Sequence, residues 1–380
     1  RSGVTLRLDK GAVLKGSRDF ARYDTSLGAN RIALLQACGA TNIAVVGEGV
    51  IDGNGQASPY RLWKKRWKVV YCADCQGVRV EGVRVLGANS WTMYFDRVDG
   101  VRVKGVVIRS RQSGGADGID IRARNVLIEG CDIDAEDDAI VLKNAVDEGF
   151  SVENVTIRDC TISSECNAFK IGTETAGDIR NVTVEDIRVI QRFAPHGKDW
   201  SLKPGCSGWK RALGISAFAV ESVDGAAVEN VTVRRCRVEE GYMTPFFVRL
   251  GARNKHNDSG RAGRISNVLF EDVQAVASSW IASSVTGVPG LSISGVTFRR
   301  VGVTVPGDAL EDATWTRVPD DDKTVREYPD AYMFGGSLPA YGLYARHVNG
   351  LVLEGLTLRY RGAHESRRPV VTENVEGFRE

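Results

Sequence analysis

No block of like charge runs through the 380-residue sequence beyond the short PDDDK at 319–323, and 50 Lys and Arg stand against 48 Asp and Glu, for a formal net charge of +2. A chain so balanced has no electrostatic footprint for nucleic acid or a membrane surface, and neither is expected as a partner. Also missing is any apolar run approaching the roughly 18–20 residues that a membrane span needs. No signal peptide opens the chain, whose first residues, RSGVTLRLDKGAVLKGS, already read as strand. A trimmed leader or an absent first segment is therefore expected upstream. Histidine is scarce, at four scattered residues, which leaves the Cys72 and Cys75 pair of YCADC without the two further ligands that a zinc site needs. No metal is expected there, and a local disulfide or packed thiols is the reading. Helical periodicity is absent, as is the leucine spacing of a leucine-rich horseshoe.

What the sequence has instead is one short phrase, many times over. It reads GVRVEGVRV from Gly77, GVRVKGVVI from Gly100, NVLIEGCDI from Asn125, NVTIRDCTI from Asn154 and NVTVEDIRV from Asn181. It returns as NVTVRRCRV from Asn230, NVLFEDVQA from Asn267, LSISGVTF from Leu291 and GLVLEGLTL from Gly350. Each phrase is two short strands of β-branched residues in period-two alternation, joined through a small or polar corner. Between Gly77 and Asn181 it recurs every 23 to 29 residues. One such unit cannot bury its apolar face alone, so successive units must stack. The fold expected is all-β: a single-domain right-handed parallel β-helix over residues 1–380, with loop insertions near 191–213, 250–263 and 305–340. Cys131, Cys160 and Cys236 each lie six residues after the Asn that opens their repeat, where other repeats carry Val or Ile. They read as small core hydrophobes. The sequons at Asn154, Asn181 and Asn230 are by-products of the same phrase.

Register then places the acids. ADGIDIR (116–122), DDAIVLK (137–143) and CNAFKIG (166–172) align without gaps on their inward apolar residues. Asp117, Asp138 and Asn167 fall at one bend on successive coils, about 4.8 Å apart, with Asp137 beside them. Carboxylates so close cannot all ionise easily. That is the requirement of glycoside hydrolysis, which needs one protonated carboxyl and one ionised carboxylate. An Asp at a solenoid corner also caps turns, but several in register, completed by an Asn, favour the functional reading. Asp120, Val141 and Lys170 share one outward position, and Arg122 and Lys143 the next; for Lys143 and Arg122 solvated surface is the alternative. Lys170 and Glu174 lie beside the row as substrate-binding candidates. Trp91, one coil before Asp117, is placed to stack on a sugar or to pack in the core.

The phrases VVGEGVIDGNG (45–55), GVRVEGVRVLGANSWTMYFDRVDGVRVKGVVI (77–108), GADGIDI (115–121) and EDDAIVLK (136–143) resemble the polygalacturonase family of glycoside hydrolases, family 28, in order and spacing. The resemblance is strong to about residue 190 and looser beyond. It implies that Asp117 assists the attacking water, that Asp137 is the general acid beside Asp138, and that pectic α-linked galacturonides are hydrolysed with inversion, without a metal or organic cofactor. It also implies a carbohydrate substrate, a monomer, and an extracellular or periplasmic place of action. The chain departs from the family at two motifs. Asn167 stands where the family has the His of Gly-His-Gly. The sequence ALGISAF (212–218), with Lys210 and Arg211 just upstream, stands where it has a carboxylate-gripping Arg-Ile-Lys. Arg211, Arg249 and Arg253 are candidate anion binders in its place. Two other functions fit the same solenoid: a calcium-dependent polysaccharide lyase with the acids as ligands, and a non-catalytic carbohydrate-binding protein.

Overall fold

The computed structural model describes residues 1–28, 31–55, 66–192, 214–307, 318–334 and 338–380. Its strands wind into a right-handed parallel β-helix, the handedness expected of parallel strand connections. Seven successive strands form the face that concerns function. They are β1 (Lys68–Ala73), β2 (Met93–Lys104), β3 (Ile119–Glu129), β4 (Ile140–Asn144), β5 (Asn167–Thr175), β6 (Gly214–Ser222) and β7 (Ala227–Leu250). Each pairs in parallel with the next.

Alternation decides what goes inside. Val70, Met93, Ile119, Ile140, Phe169, Phe218 and Phe246 stack in one register, and all are buried. Two residues on, Cys72, Phe95, Ile121, Leu142, Ile171, Val220 and Val248 form a second inward column. These belong to one apolar core that runs from Leu8 to Leu353. At about 1.5–3 kcal/mol for each large side chain, burial along this axis is what holds the coils together.

The asparagine of the repeat phrase has its own physical cause. Asn125, Asn154, Asn181, Asn230 and Asn267 all sit at φ of 56–57°, the left-handed region that Asn tolerates better than most residues. Their amides form a ladder, each Nδ2 donating to the Oδ1 one coil below, at 3.1 Å (Asn154 to Asn125), 3.2 Å (Asn181 to Asn154), 3.0 Å (Asn230 to Asn181) and 2.8 Å (Asn267 to Asn230). Where the phrase opens with glycine, as at Gly77 and Gly100, φ is again positive. The sequons are thus a consequence of turn geometry. Cys131, Cys160 and Cys236 are buried thiols at the core positions expected, and the Cys131 N–H donates to Cys160 Sγ at 3.4 Å. Cys72 and Cys75 are packed as thiols.

The insertion at 250–263 is a loop between β7 and the strand Arg264–Ala277. That at 305–340 includes a short helix, α1 (Asp322–Arg326), capped by Asp321. From residue 193 the insertion at 191–213 lies outside the described residues. No helix among them is long and apolar enough to cross a membrane.

Candidate active site

The bend that precedes β3, β4 and β5 keeps the ladder pairing going. Gly118 N–H donates to the Asp138 carbonyl, and Ala139 N–H to the Asn167 carbonyl, both at 2.9 Å. Consequently Asp117, Asp138 and Asn167 stack one above another. Small residues are required between acid and strand: a Cβ on Gly118 would lie 2.3 Å from the Ala139 carbonyl oxygen. Asn167 braces Asp138 through both its side-chain Nδ2 (2.7 Å) and its backbone N–H (3.2 Å) to Oδ1. The half-buried Asp137 stands beside the row, its carbonyl accepting from Ser164 Oγ at 2.6 Å. Carboxylate oxygens of Asp137 and Asp138 and the Cys166 sulfur lie within 4.8 Å of one another.

Other acids near the bend have structural work. Glu136 accepts from the Gly115 N–H at 2.6 Å and so closes the turn before Asp117. Asp134 and Glu165 take the Arg111 guanidinium at 2.7 and 2.9 Å.

Two lysines flank the row, and neither is solvated surface. Lys143 Nζ lies 2.7 Å from Asp117 Oδ2 and 2.8 Å from Asp120 Oδ1, with the Trp91 ring centroid 4.1 Å away. Lys170 Nζ lies 3.7 Å from Asp138 Oδ2 and 3.6 Å from Glu221 Oε1, with the Tyr328 ring 5.6 Å away. Arg122, likewise buried, contacts Asn144, Asp96 and Glu148. Trp91 therefore lies at the site, packed on a site cation, with a second lysine, Lys68, whose Nζ is 5.0 Å from the Trp91 ring centroid.

Burial sets the titration of these groups. It pushes Asp117 well above the usual carboxylate range, against the pull of Lys143 and with the help of Asp120, Asp137 and Asp138. Burial also raises Asp120 to about 6, again against Lys143. One ammonium cannot offset two carboxylates stripped of water, so this pair holds a proton beyond the usual range. Desolvation would lower Lys143 and Lys170, but their acid partners more than compensate, and both stay cationic. Glu174 is held below its ordinary value: burial, which raises it, is outweighed by Lys143 and Lys170.

Several of these groups escape sequence reasoning. Asp120 shares one register position with Val141 and Lys170, which by itself does not mark it as buried. Glu221, buried on β6, is raised by desolvation to about 8. Tyr328 and Asp330 arrive from the 305–340 insertion: Thr173 Oγ1 donates to the Tyr328 hydroxyl at 3.0 Å, across 155 residues of chain. Burial raises Asp330 to about 6, opposed by Lys170, with Asp138 and Asp137 among its charged neighbours. The structure brings part of that insertion, expected from the sequence as a loop, to the carboxylate row.

The anion-binding arginines are placed differently. Arg249 is buried, and its guanidinium donates to Thr286 Oγ1 and to the carbonyls of Gly287 and Thr324, so its fork is committed to the fold. Arg253 is paired with Asp224. Arg211 lies outside the described residues.

Comparison with known proteins agrees with this architecture. The model for glycosyl hydrolases family 28 matches residues 1–191, half of the chain. A polygalacturonase of Chamaecyparis obtusa is 30% identical over 156 residues, 37% of this chain and 28% of that protein. Rhamnogalacturonase A of Emericella nidulans is 24% identical over 234 residues, 56% of this chain and 44% of that protein. The matched stretch thus spans less than half the length of either relative. Among solved structures, the family 28 exopolygalacturonase of Yersinia enterocolitica superposes with a TM-score of 0.68 at 14% identity, covering 100% of this chain and 69% of that one. The exopolygalacturonase of Thermotoga maritima gives 0.64 at 15% identity, covering 94% and 80%. At such identities the structural likeness speaks for the fold, and the sequence match over half the chain carries the rest: this protein belongs to glycosyl hydrolase family 28.

Proposed function

We propose that the protein is a glycoside hydrolase that cleaves α-glycosidic bonds in pectic or other uronate-containing polysaccharide, with inversion, acting outside the cell or in the periplasm. The observation that carries this reading is the buried column of Asp117, Asp138 and Asn167 with Asp137 alongside. Buried charge is costly, and a fold that gathers several acids at one bend retains them for chemistry rather than stability. In this reading Asp137, the most accessible of the three aspartates, protonates the leaving oxygen, and Asp117 with Asp138 positions the attacking water. Asn167 fixes the orientation of Asp138, while Lys143 and Lys170 keep the remaining carboxylates close without mutual expulsion. Trp91 offers a ring at one end of the row. The calcium-lyase reading finds less support, because the cluster of Asp137, Asp138 and Cys166 includes a thiol and has the Lys170 ammonium 3.7 Å from Asp138, whereas calcium takes six to eight oxygens.

A product screen against pectic, rhamnogalacturonan and other uronate-containing oligosaccharides tests the reading. Saturated products of inverted configuration are expected, and products that absorb in the near ultraviolet and vanish on chelation would replace hydrolysis by elimination.

A further inference from the structure

A groove of about 680 Å³ lies on another face of the solenoid, away from the acid row. Its floor is the Arg237 stretch of β7 with the strands Arg264–Ala277, Gly302–Val305 and Thr357–Tyr360, paired in parallel. Val238, Ala275 and Val303 are buried beneath it. The alternate residues line the groove in two columns, one of Arg237, Gln274, Gly302 and Thr357, the other of Val276, Thr304 and Arg359. Asp132, Thr161, Arg188 and Arg237 stack on successive coils, so the groove begins three steps, roughly 14 Å, beyond the strand that leads into Asp137. Its two acids are taken, Glu239 by Arg188 at 2.8 Å and Glu240 by Arg361 at 3.2 Å, and Arg300 holds Asp272 at 2.6 Å. Arg237 and Arg359 are different: both are exposed, and among the described residues neither has an ion pair or a hydrogen bond. They stand three coil steps apart, again roughly 14 Å.

We infer that this groove is a second carbohydrate-binding site, which holds a uronate-bearing stretch of polysaccharide away from the acid row. The choice of uronate rests on the glycoside hydrolase reading, whose substrate is such a chain. Each unpaired guanidinium presents a fork that matches a carboxylate bidentately. Between the two forks, Gln274, Thr304 and Thr357 offer an amide and two hydroxyls to the hydroxyls of a sugar. Their spacing along the solenoid axis suits a chain, because the forks meet carboxylates on different sugars of one oligosaccharide, whereas a single small anion reaches only one. The floor stays shallow at its centre: Gly302 has no side chain, and a Cβ there would lie 2.3 Å from Gln274 Oε1, so the Gln274 amide lies close over the strand. A short oligosaccharide occupies either this groove or the acid row. A polymer reaches both, and its second contact is then intramolecular, which retains long chains at the protein with no change in the chemistry.

The test pairs binding with hydrolysis. Calorimetry follows polygalacturonate and a neutral α-glucan on the Asp137→Asn protein, alone and with either the pair Arg237→Ala, Arg359→Ala or the pair Arg237→Lys, Arg359→Lys added. Both arginines are exposed, so neither pair disturbs the core. Polygalacturonate is expected to bind about fivefold or more weakly with the alanine pair and at least about twofold more weakly with the lysine pair, which keeps the charge and loses the forks. Binding of the glucan should move with neither. With Asp137 intact, the alanine pair should raise KM for polygalacturonate about threefold or more at unchanged kcat, and leave a uronate trisaccharide within about twofold. Unchanged polygalacturonate binding in the alanine pair overturns the inference, as does full affinity in the lysine pair, which would leave only charge attraction. An equal loss of glucan binding, or an equal rise in KM for trisaccharide and polymer, overturns it as well. If no uronate is hydrolysed while the arginine-dependent binding holds, the hydrolase reading fails and the groove stands.

Discussion

Two columns of polar side chains climb this solenoid. One is the asparagine ladder from Asn125 to Asn267, exposed and repetitive, in which each amide from Asn154 onward gives a hydrogen bond to the asparagine one coil below. The other is the row of Asp117, Asp138, Asn167 and Ser216, buried and different at every coil, where charge is balanced by lysines from a neighbouring column. The first satisfies itself, and any coil could be exchanged for another. The second cannot be satisfied by repetition, since stacked aspartates repel; it needs Lys143 and Lys170. Register alone therefore does not mark a site: a column that breaks the repeat and leaves charge in a dry place does.

The comparison is tested most severely at the acid beside the second column. Asp137→Asn should lower hydrolysis by about 10²–10⁴-fold with an unchanged circular dichroism spectrum; a fully active variant would remove Asp137 from the mechanism. Next, Lys143→Met should leave Asp117 and Asp120 buried without their cation, at about 3–5 kcal/mol of unfolding free energy in denaturant titrations. A loss no larger than that of an exposed ion pair would mean water reaches the site.

A third prediction concerns pH. Glu221 is raised from 4.5 to about 8 in the folded state. Between those values the folded protein binds more protons than the unfolded chain, so this group's contribution is fully present below about 4.5 and is lost as pH rises toward about 8. The loss approaches 1.4 kcal/mol per pH unit within that window. Glu221→Gln should flatten the slope, gaining on the wild type more at pH 8 than at pH 5 in thermal melts, while Asp138 keeps Lys170 paired. The smallest effect belongs to the ladder. Asn181→Gly preserves the positive φ and removes ladder hydrogen bonds, for a loss of about 1 kcal/mol and no change in turnover. Asn181→Ala should cost about 1–2 kcal/mol more, through backbone strain.

Much of this was legible before the structure. The repeat phrase specifies the coil, because its alternation leaves one way to bury Val and Ile, and the inward residues of three coils set the register that stacks Asp117, Asp138 and Asn167. Trp91, Lys143 and Lys170 could be placed beside them by the same counting. Whether Lys143 was solvated or buried could not, since an outward side chain on a solenoid is exposed unless something covers it. Nor could the fate of Arg249 be read: an arginine in a strand looks the same whether its fork meets a ligand or the carbonyls of Gly287 and Thr324.

What the sequence by itself determined is the solenoid, its register and the acid row, all of which follow from short-range alternation repeated coil after coil. Only the tertiary structure decided how that row is balanced and walled. Glu221 sits two coils beyond Asp138, and Tyr328 and Asp330 lie far along the chain in a segment with no repeat to count by. Their arrival beside Lys170 depends on how an irregular loop folds back over the sheet, and the charges they bring shape the site through space, where sequence separation carries no information.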